Sequence, residues 1–136
     1  MCFFSRTAYE NVKLRDLVLT RDTSLNPMAL EIEGALWIRS HSESTSIVMA
    51  RHVPIVYHYA DRKLVWFPPS SNSKILMQGI LRHNVNYVMV IKHRKPYYMP
   101  DDDYCFDKLL AEHAEAFRLV FQDSDLRIME VELPRA

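Results

Sequence analysis

The stretch SKILMQGILRHNVNYVMVI, residues 73–91, determines the fold class of this 136-residue chain. Its second half, residues 85–91, is a nearly continuous apolar run of the kind found in a strand that is buried on both faces. Its first half has helical spacing, and residues 70–73 offer several N-caps. The residues predicted to lie on one side of this helix are Ile75, Leu76, Gly79, Ile80 and His83. A helix that leads into a buried strand is typical of an α/β unit.

Upstream of this unit the sequence predicts two further strands. Residues 46–50 form a short β-branched and apolar run, and residues 63–67 form another that ends at Pro68-Pro69. The segment between them, residues 51–60, fits a short helix but also alternates like a strand around residues 56–59. We favour the helix.

The N-terminal part of the chain predicts a lead-in segment, residues 1–25, followed by a helix. Asn26 serves as its N-cap, Pro27 as its first residue, and the helix runs to about His41. Its apolar face is predicted to contain Ala29, Ile32, Leu36 and Trp37.

The C-terminal part predicts a loop, a helix and a hairpin. Residues 93–100 are polar and proline-bearing, and residues 101–103 are three aspartates at the positive end of the next helix. Residues 117–121 and 126–131 flank a short polar loop and are predicted to pair as a β-hairpin. The apolar stripe of the helix is predicted to contain Phe106, Leu109, Leu110, His113 and Phe117.

Strands that alternate with helices predict right-handed crossovers and a sheet covered on both faces. The expected fold is therefore a three-layer, Rossmann-like α/β domain over residues 26–136, with a mostly parallel sheet and a C-terminal antiparallel hairpin.

Composition excludes several classes of function. Lys plus Arg and Asp plus Glu both number 17, so the chain lacks the basic excess of a nucleic-acid binder. The 2 cysteines, Cys2 and Cys105, are too far apart in the chain to form a disulfide framework or a metal-ligand pair. No apolar run is long enough to span a membrane, and the first residues lack the pattern of a signal peptide.

Motifs for catalysis and for cofactors are also missing, so we expect no cofactor and no metal. With only 2 glycines, Gly34 and Gly79, the chain cannot form a glycine-rich phosphate loop. His52 and His58 do not have the spacing of a helical zinc pair. The three aspartates at residues 101–103 are explained by a helix N-terminus without a cation.

If the domain binds a small anion, the expected place is the cleft beyond the carboxyl ends of the strands, where arginine suits phosphate or carboxylate. The candidate ligand-binding residues are Arg51, His52, Arg62, Ser70, Ser71, His93 and Arg94. Nearby aromatic side chains either line this cleft or pack against the sheet and its edges. They are Tyr57, Tyr59, Trp66, Phe67, Tyr97 and Tyr98.

A series of short stretches resembles the soluble C-terminal region of bacterial polytopic membrane glycosyltransferases. These enzymes are similar to the dolichyl-phosphate-mannose protein mannosyltransferases and the lipid A aminoarabinose transferases, which take sugars from polyprenyl-phosphate donors. The resemblance covers about residues 29–131. The stretches are ALWIR (35–39), VMAR (48–51), YHYADR (57–62), WFPP (66–69), VNYVMV (85–90), FRLVF (117–121) and LRI (126–128).

The resemblance implies a non-catalytic accessory domain on the extracytoplasmic (periplasmic) face of the membrane, attached through a transmembrane portion that this chain lacks. The catalytic acid of such enzymes belongs to that portion, so no catalytic residue is carried over and the chain is expected to be inactive alone. Two alternatives stay open. One is a free-standing cytoplasmic module that binds an anionic metabolite through Arg51, Arg62 and Arg94, and the other is a homodimer formed through the exposed edge of the hairpin.

Overall fold

A computed structural model describes residues 28–92 and 101–132 of the chain. The predicted lead-in segment at residues 1–25, the Asn26-Pro27 cap and the loop at residues 93–100 lie outside the described residues. The helices are α1 (Ala29–His41), α2 (Val53–Ala60), α3 (Ser73–Arg82) and α4 (Asp102–Glu112), followed by a short 3-10 helix (Ala114–Ala116). The strands are β1 (Ile47–Ala50), β2 (Lys63–Trp66), β3 (Tyr87–Ile91), β4 (Phe117–Asp123) and β5 (Leu126–Val131).

The strands form one five-stranded sheet in the order β2-β1-β3-β5-β4. β1 lies parallel to both β2 and β3, whereas β5 is antiparallel to β3 and to β4. The predicted α/β fold class is confirmed, and the hairpin lies at the antiparallel end of the sheet, as expected. The ambiguous segment at residues 51–60 contains helix α2, as we favoured.

Two cores cover the two faces of the sheet. Side chains alternate along β3, so Val88 and Val90 face a core shared with α3 and α4, while Met89 and Ile91 face a core shared with α1 and α2. We call these the α3/α4 core and the α1/α2 core. Because β1 and β3 bury nearly every side chain between the two helical layers, their sequences are continuously apolar.

The predicted face of α1 needs correction. Ala29 and Ile32 are buried as expected, but Leu36 and Trp37 are only half-buried, and the helix meets the sheet through Ala35 and Ile38. The buried face also contains Glu31, a carboxylate within the stripe, so a search for apolar spacing selects the neighbouring face instead.

The faces of α3 and α4 were also predicted only in part. On α3, Leu76 and Ile80 are buried, but Ile75 and His83 are exposed. Helix α4 ends at Glu112, so two residues of its predicted stripe lie beyond it: His113 is the C-cap and Phe117 begins β4. Phe117 nevertheless reaches the same core, where its ring packs edge-on against that of Phe106 at a centroid distance of 5.0 Å.

Candidate functional site

The ends of β1 and β3 define the place where a ligand site is expected. Strand β1 lies between β2 and β3, and the connections that leave β1 and β2 pass over opposite faces of the sheet through α2 and α3. In open sheets of this kind the ligand crevice lies beyond the carboxyl ends of the strands, where the strand order reverses. Here that place is directly beyond Ala50 and Ile91.

Arg51 is the first residue after β1, and it points into the α3/α4 layer. Its Nε atom lies 2.5 Å from Oδ1 of Asp102, and its guanidinium carbon lies 5.4 Å from the centroid of the Phe67 ring. The Arg51 side chain is 9% exposed and that of Asp102 is 1% exposed, so the pair is shielded from water. The ion pair thus connects the end of β1 to the first turn of α4, beside the residue that follows β2.

Asp102 also contacts the end of β3. The backbone N–H of Ile91 lies 3.4 Å from Oδ2 of Asp102, and Asp101, the N-cap of α4, accepts a bond from the Asp102 N–H through its side chain. The Asp102 carboxylate therefore lies between the ends of β1 and β3. The protein's own ion pair occupies the crevice position.

His52 points to the opposite layer. Its Nδ1 atom lies 3.1 Å from Oε1 of Glu31, whose side chain is 2% exposed on the buried face of α1. Arg51 and His52 thus engage one buried carboxylate each, on the two sides of the sheet. Two adjacent residues at the end of β1 thus join both helical layers to the sheet.

Cys105, on α4, lies in the α3/α4 core near Arg51 and Asp102 and is fully buried. Burial raises the pKa of its thiol above the ordinary value of 9.0, while the positive charge of Arg51 acts in the opposite direction and the charge of Asp102 adds to the increase. A thiol in this state is a poor nucleophile at neutral pH.

Arg62 lies at the opposite end of the strands from Arg51, because it directly precedes the first residue of β2. Its guanidinium donates to the carbonyls of Arg39 and Ser42 at 3.1 Å, to that of Asp61 at 3.0 Å, and to the Ser42 hydroxyl at 3.0 Å. It therefore ties together the C-terminal ends of α1 and α2, and the structure does not bring it near Arg51.

The two serines among the predicted site residues follow β2 at the carboxyl edge. Ser70 accepts a hydrogen bond from the Asn72 N–H at 3.1 Å, and Ser71 is exposed. Asn72 in turn caps α3 by accepting from the Lys74 N–H. His93 and Arg94 lie outside the described residues. The structure thus places Arg62 at the amino ends of the strands. The other described site residues lie at the carboxyl ends: Arg51, His52, Ser70 and Ser71.

The predicted aromatic residues separate into buried and exposed members. Phe67 is buried under the Arg51 guanidinium, and Tyr59 is half-buried against the α1/α2 core. Tyr57 and Trp66 are 58% and 57% exposed. Tyr97 and Tyr98 lie outside the described residues.

A second aromatic cluster lies on the α1 side of the sheet and was not predicted. The Trp37 ring stacks on His41 at 4.4 Å and contacts the rings of Tyr87 and Phe121. Burial raises the pKa of Tyr87 above its ordinary value of 10.0, and the negative charge and the hydrogen bond of Glu130 raise it further. This cluster packs α1 against β3 and the hairpin.

Sequence reasoning missed Glu31 and Asp102. Each is a carboxylate at a position that helical periodicity assigns to the buried side, Glu31 between Ala29 and Ile32 and Asp102 one turn before Phe106. A buried carboxylate requires a partner, so these positions could have been flagged, although not paired, from the sequence. Within the described residues, no group of three or more His, Cys, Asp or Glu side chains is placed to hold a metal ion.

These features define an α/β domain that carries a buried internal ion pair at the strand ends, where a ligand crevice is expected. No protein-family model matches the chain, and no curated protein matches it. Among solved structures, the chain is similar to the C-terminal globular domain of an oligosaccharyltransferase from Archaeoglobus fulgidus, with 15% sequence identity and a TM-score of 0.46. The match covers 74% of this chain and 95% of that domain. In the parts of the chain that the structure describes, no helix is both long and apolar enough to cross a membrane.

Proposed function

We propose that this chain is a non-catalytic accessory domain of a membrane glycosyltransferase that uses polyprenyl-phosphate sugars as donors. The observation that carries the proposal is the Arg51–Asp102 pair, which fills the position where α/β domains of this topology accept ligands. A domain that closes this position with its own side chains is suited to a supporting role beside an active site.

The distribution of the resembling stretches supports the same proposal. Residues 48–51, 66–69 and 85–90 contribute to the three parallel strands, and residues 117–121 and 126–128 contribute to the hairpin. The stretches that resemble membrane glycosyltransferase tails therefore include part of every strand of one sheet. A resemblance spread over a whole sheet concerns the folded unit and not an isolated motif.

The alternatives have less support. A module that binds an anionic metabolite would need Arg51 and Arg62 in one cleft. Arg51 follows β1 at the carboxyl ends of the strands, whereas Arg62 precedes β2 at the amino ends. A homodimer through the hairpin edge would need β4 to accept another strand. β4 has an irregular register between Leu119 and Phe121, and its Arg118 is paired with Glu130 and Glu132, features that discourage edge pairing.

Depletion of the native protein tests the proposal. Antibodies against the folded chain are used to remove it from detergent-solubilised membranes of cells that produce it, and sugar transfer from a radiolabelled polyprenyl-phosphate sugar is then measured. We expect the transfer activity to be removed with the antigen. Unchanged transfer after complete removal of the antigen would overturn the proposal. Serum from the same animals before immunisation provides the control.

The non-catalytic role has a separate test. We expect the purified chain to show no change in melting temperature with nucleotide sugars, sugar phosphates or divalent metals, because a ligand of the native state raises that temperature. A clear rise in melting temperature with any of these compounds would show that the chain binds a soluble ligand, and would overturn the accessory role.

A further inference from the structure

We draw no further inference here: the strongest candidate, the surface patch with the exposed side chains of Tyr57 on α2 and Trp66 on the edge strand β2, is flanked by the charged residues 61–63, and nothing in the structure shows what covers it.

Discussion

Arg51 and Asp102 are 51 positions apart in the sequence, yet Nε of one lies 2.5 Å from Oδ1 of the other at the point where the strand order of the sheet reverses. Each side chain is at least nine-tenths buried. The pair fixes the first turn of α4 against the ends of β1 and β3, and it occupies the usual ligand position with protein atoms. A strand-end position held by the protein's own side chains fits a supporting unit better than a ligand-binding one.

Removing the arginine should therefore be strongly destabilising. In an Arg51→Met variant the Asp102 carboxylate stays buried without the guanidinium beside it, and we expect the free energy of unfolding to fall by about 3 to 5 kcal/mol. Urea denaturation followed by circular dichroism measures the change.

The double variant Arg51→Met, Asp102→Leu is the control for this prediction. Replacing both charges with apolar groups removes the desolvation cost of each, so the double variant should lose less stability than the sum of the two single variants. A loss of less than about 1 kcal/mol for Arg51→Met, as found for exposed pairs, would show that the ion pair is not buried in solution.

The two glycines should respond to alanine in opposite directions. A Cβ on Gly34 would lie 2.5 Å from Cε of Met89 and 3.3 Å from Cδ1 of Leu126, so Gly34→Ala should cost about 1 to 3 kcal/mol through overpacking. A Cβ on Gly79 would meet only Cε of Met49, at 3.4 Å. Gly79→Ala should therefore stabilise the protein by about 0.5 to 1 kcal/mol through helix propensity.

Thermal or urea denaturation of the two alanine variants, measured side by side, checks this prediction. Each variant is the control for the other, since both changes are made within a helix. If Gly34→Ala were as stabilising as Gly79→Ala, α1 would not approach β3 and β5 as closely as described.

Arg62 should contribute to stability and not to ligand binding. An Arg62→Met variant keeps the aliphatic stem but removes the donors to the carbonyls of Arg39, Ser42 and Asp61, and we expect a loss of about 1 to 2 kcal/mol. Arg62→Lys should recover only part of it, because an ammonium group cannot reproduce the guanidinium fork. Equal stability of the wild type and Arg62→Met in urea would contradict this capping role.

Tyr87 should make the domain sensitive to alkali. Its pKa is raised above the ordinary value of 10.0, chiefly by burial and then by Glu130, so the unfolded chain loses the phenolic proton before the folded chain does. The stabilising effect is complete below pH 10 and is lost as the pH rises through the raised pKa.

A Tyr87→Phe variant should accordingly lose less stability than the wild type as the pH rises above about 10. Urea denaturation at a series of pH values measures both. The pKa of the Cys105 thiol is also raised, but this thiol is common to both proteins and cancels in the comparison. Identical pH profiles for the two proteins would be inconsistent with a half-buried Tyr87 hydroxyl beside Glu130.

The sequence predicted the elements of this fold better than it predicted their faces. The strands could be recognised because β1 and β3 are buried on both sides, which leaves continuous apolar runs. The buried face of α1 could not be recognised in the same way. It includes the carboxylate Glu31, and a second set of apolar residues that includes Leu36 also has helical spacing.

The candidate site was predicted only as a location. Chain order and the rules of parallel sheets place Arg51 and His52 at the carboxyl edge, and both are there. Their partners could not be predicted, since Asp102 is also explained by a favourable charge at a helix N-terminus. Arg62 was grouped with them because an arginine that caps helix carbonyls looks the same in a sequence as one that binds a ligand.

The central claim is that this domain serves a membrane glycosyltransferase, and the most direct measurement is the composition of the native particle that contains it. The antigen is purified in mild detergent from cells that produce it, and its polypeptides are identified and quantified by mass spectrometry. The account predicts peptides of a polytopic glycosyltransferase in a one-to-one ratio with this sequence, from one polypeptide or from two. Recovery of this sequence as a 16.0 kDa chain in the high-speed supernatant, without such peptides, would contradict it.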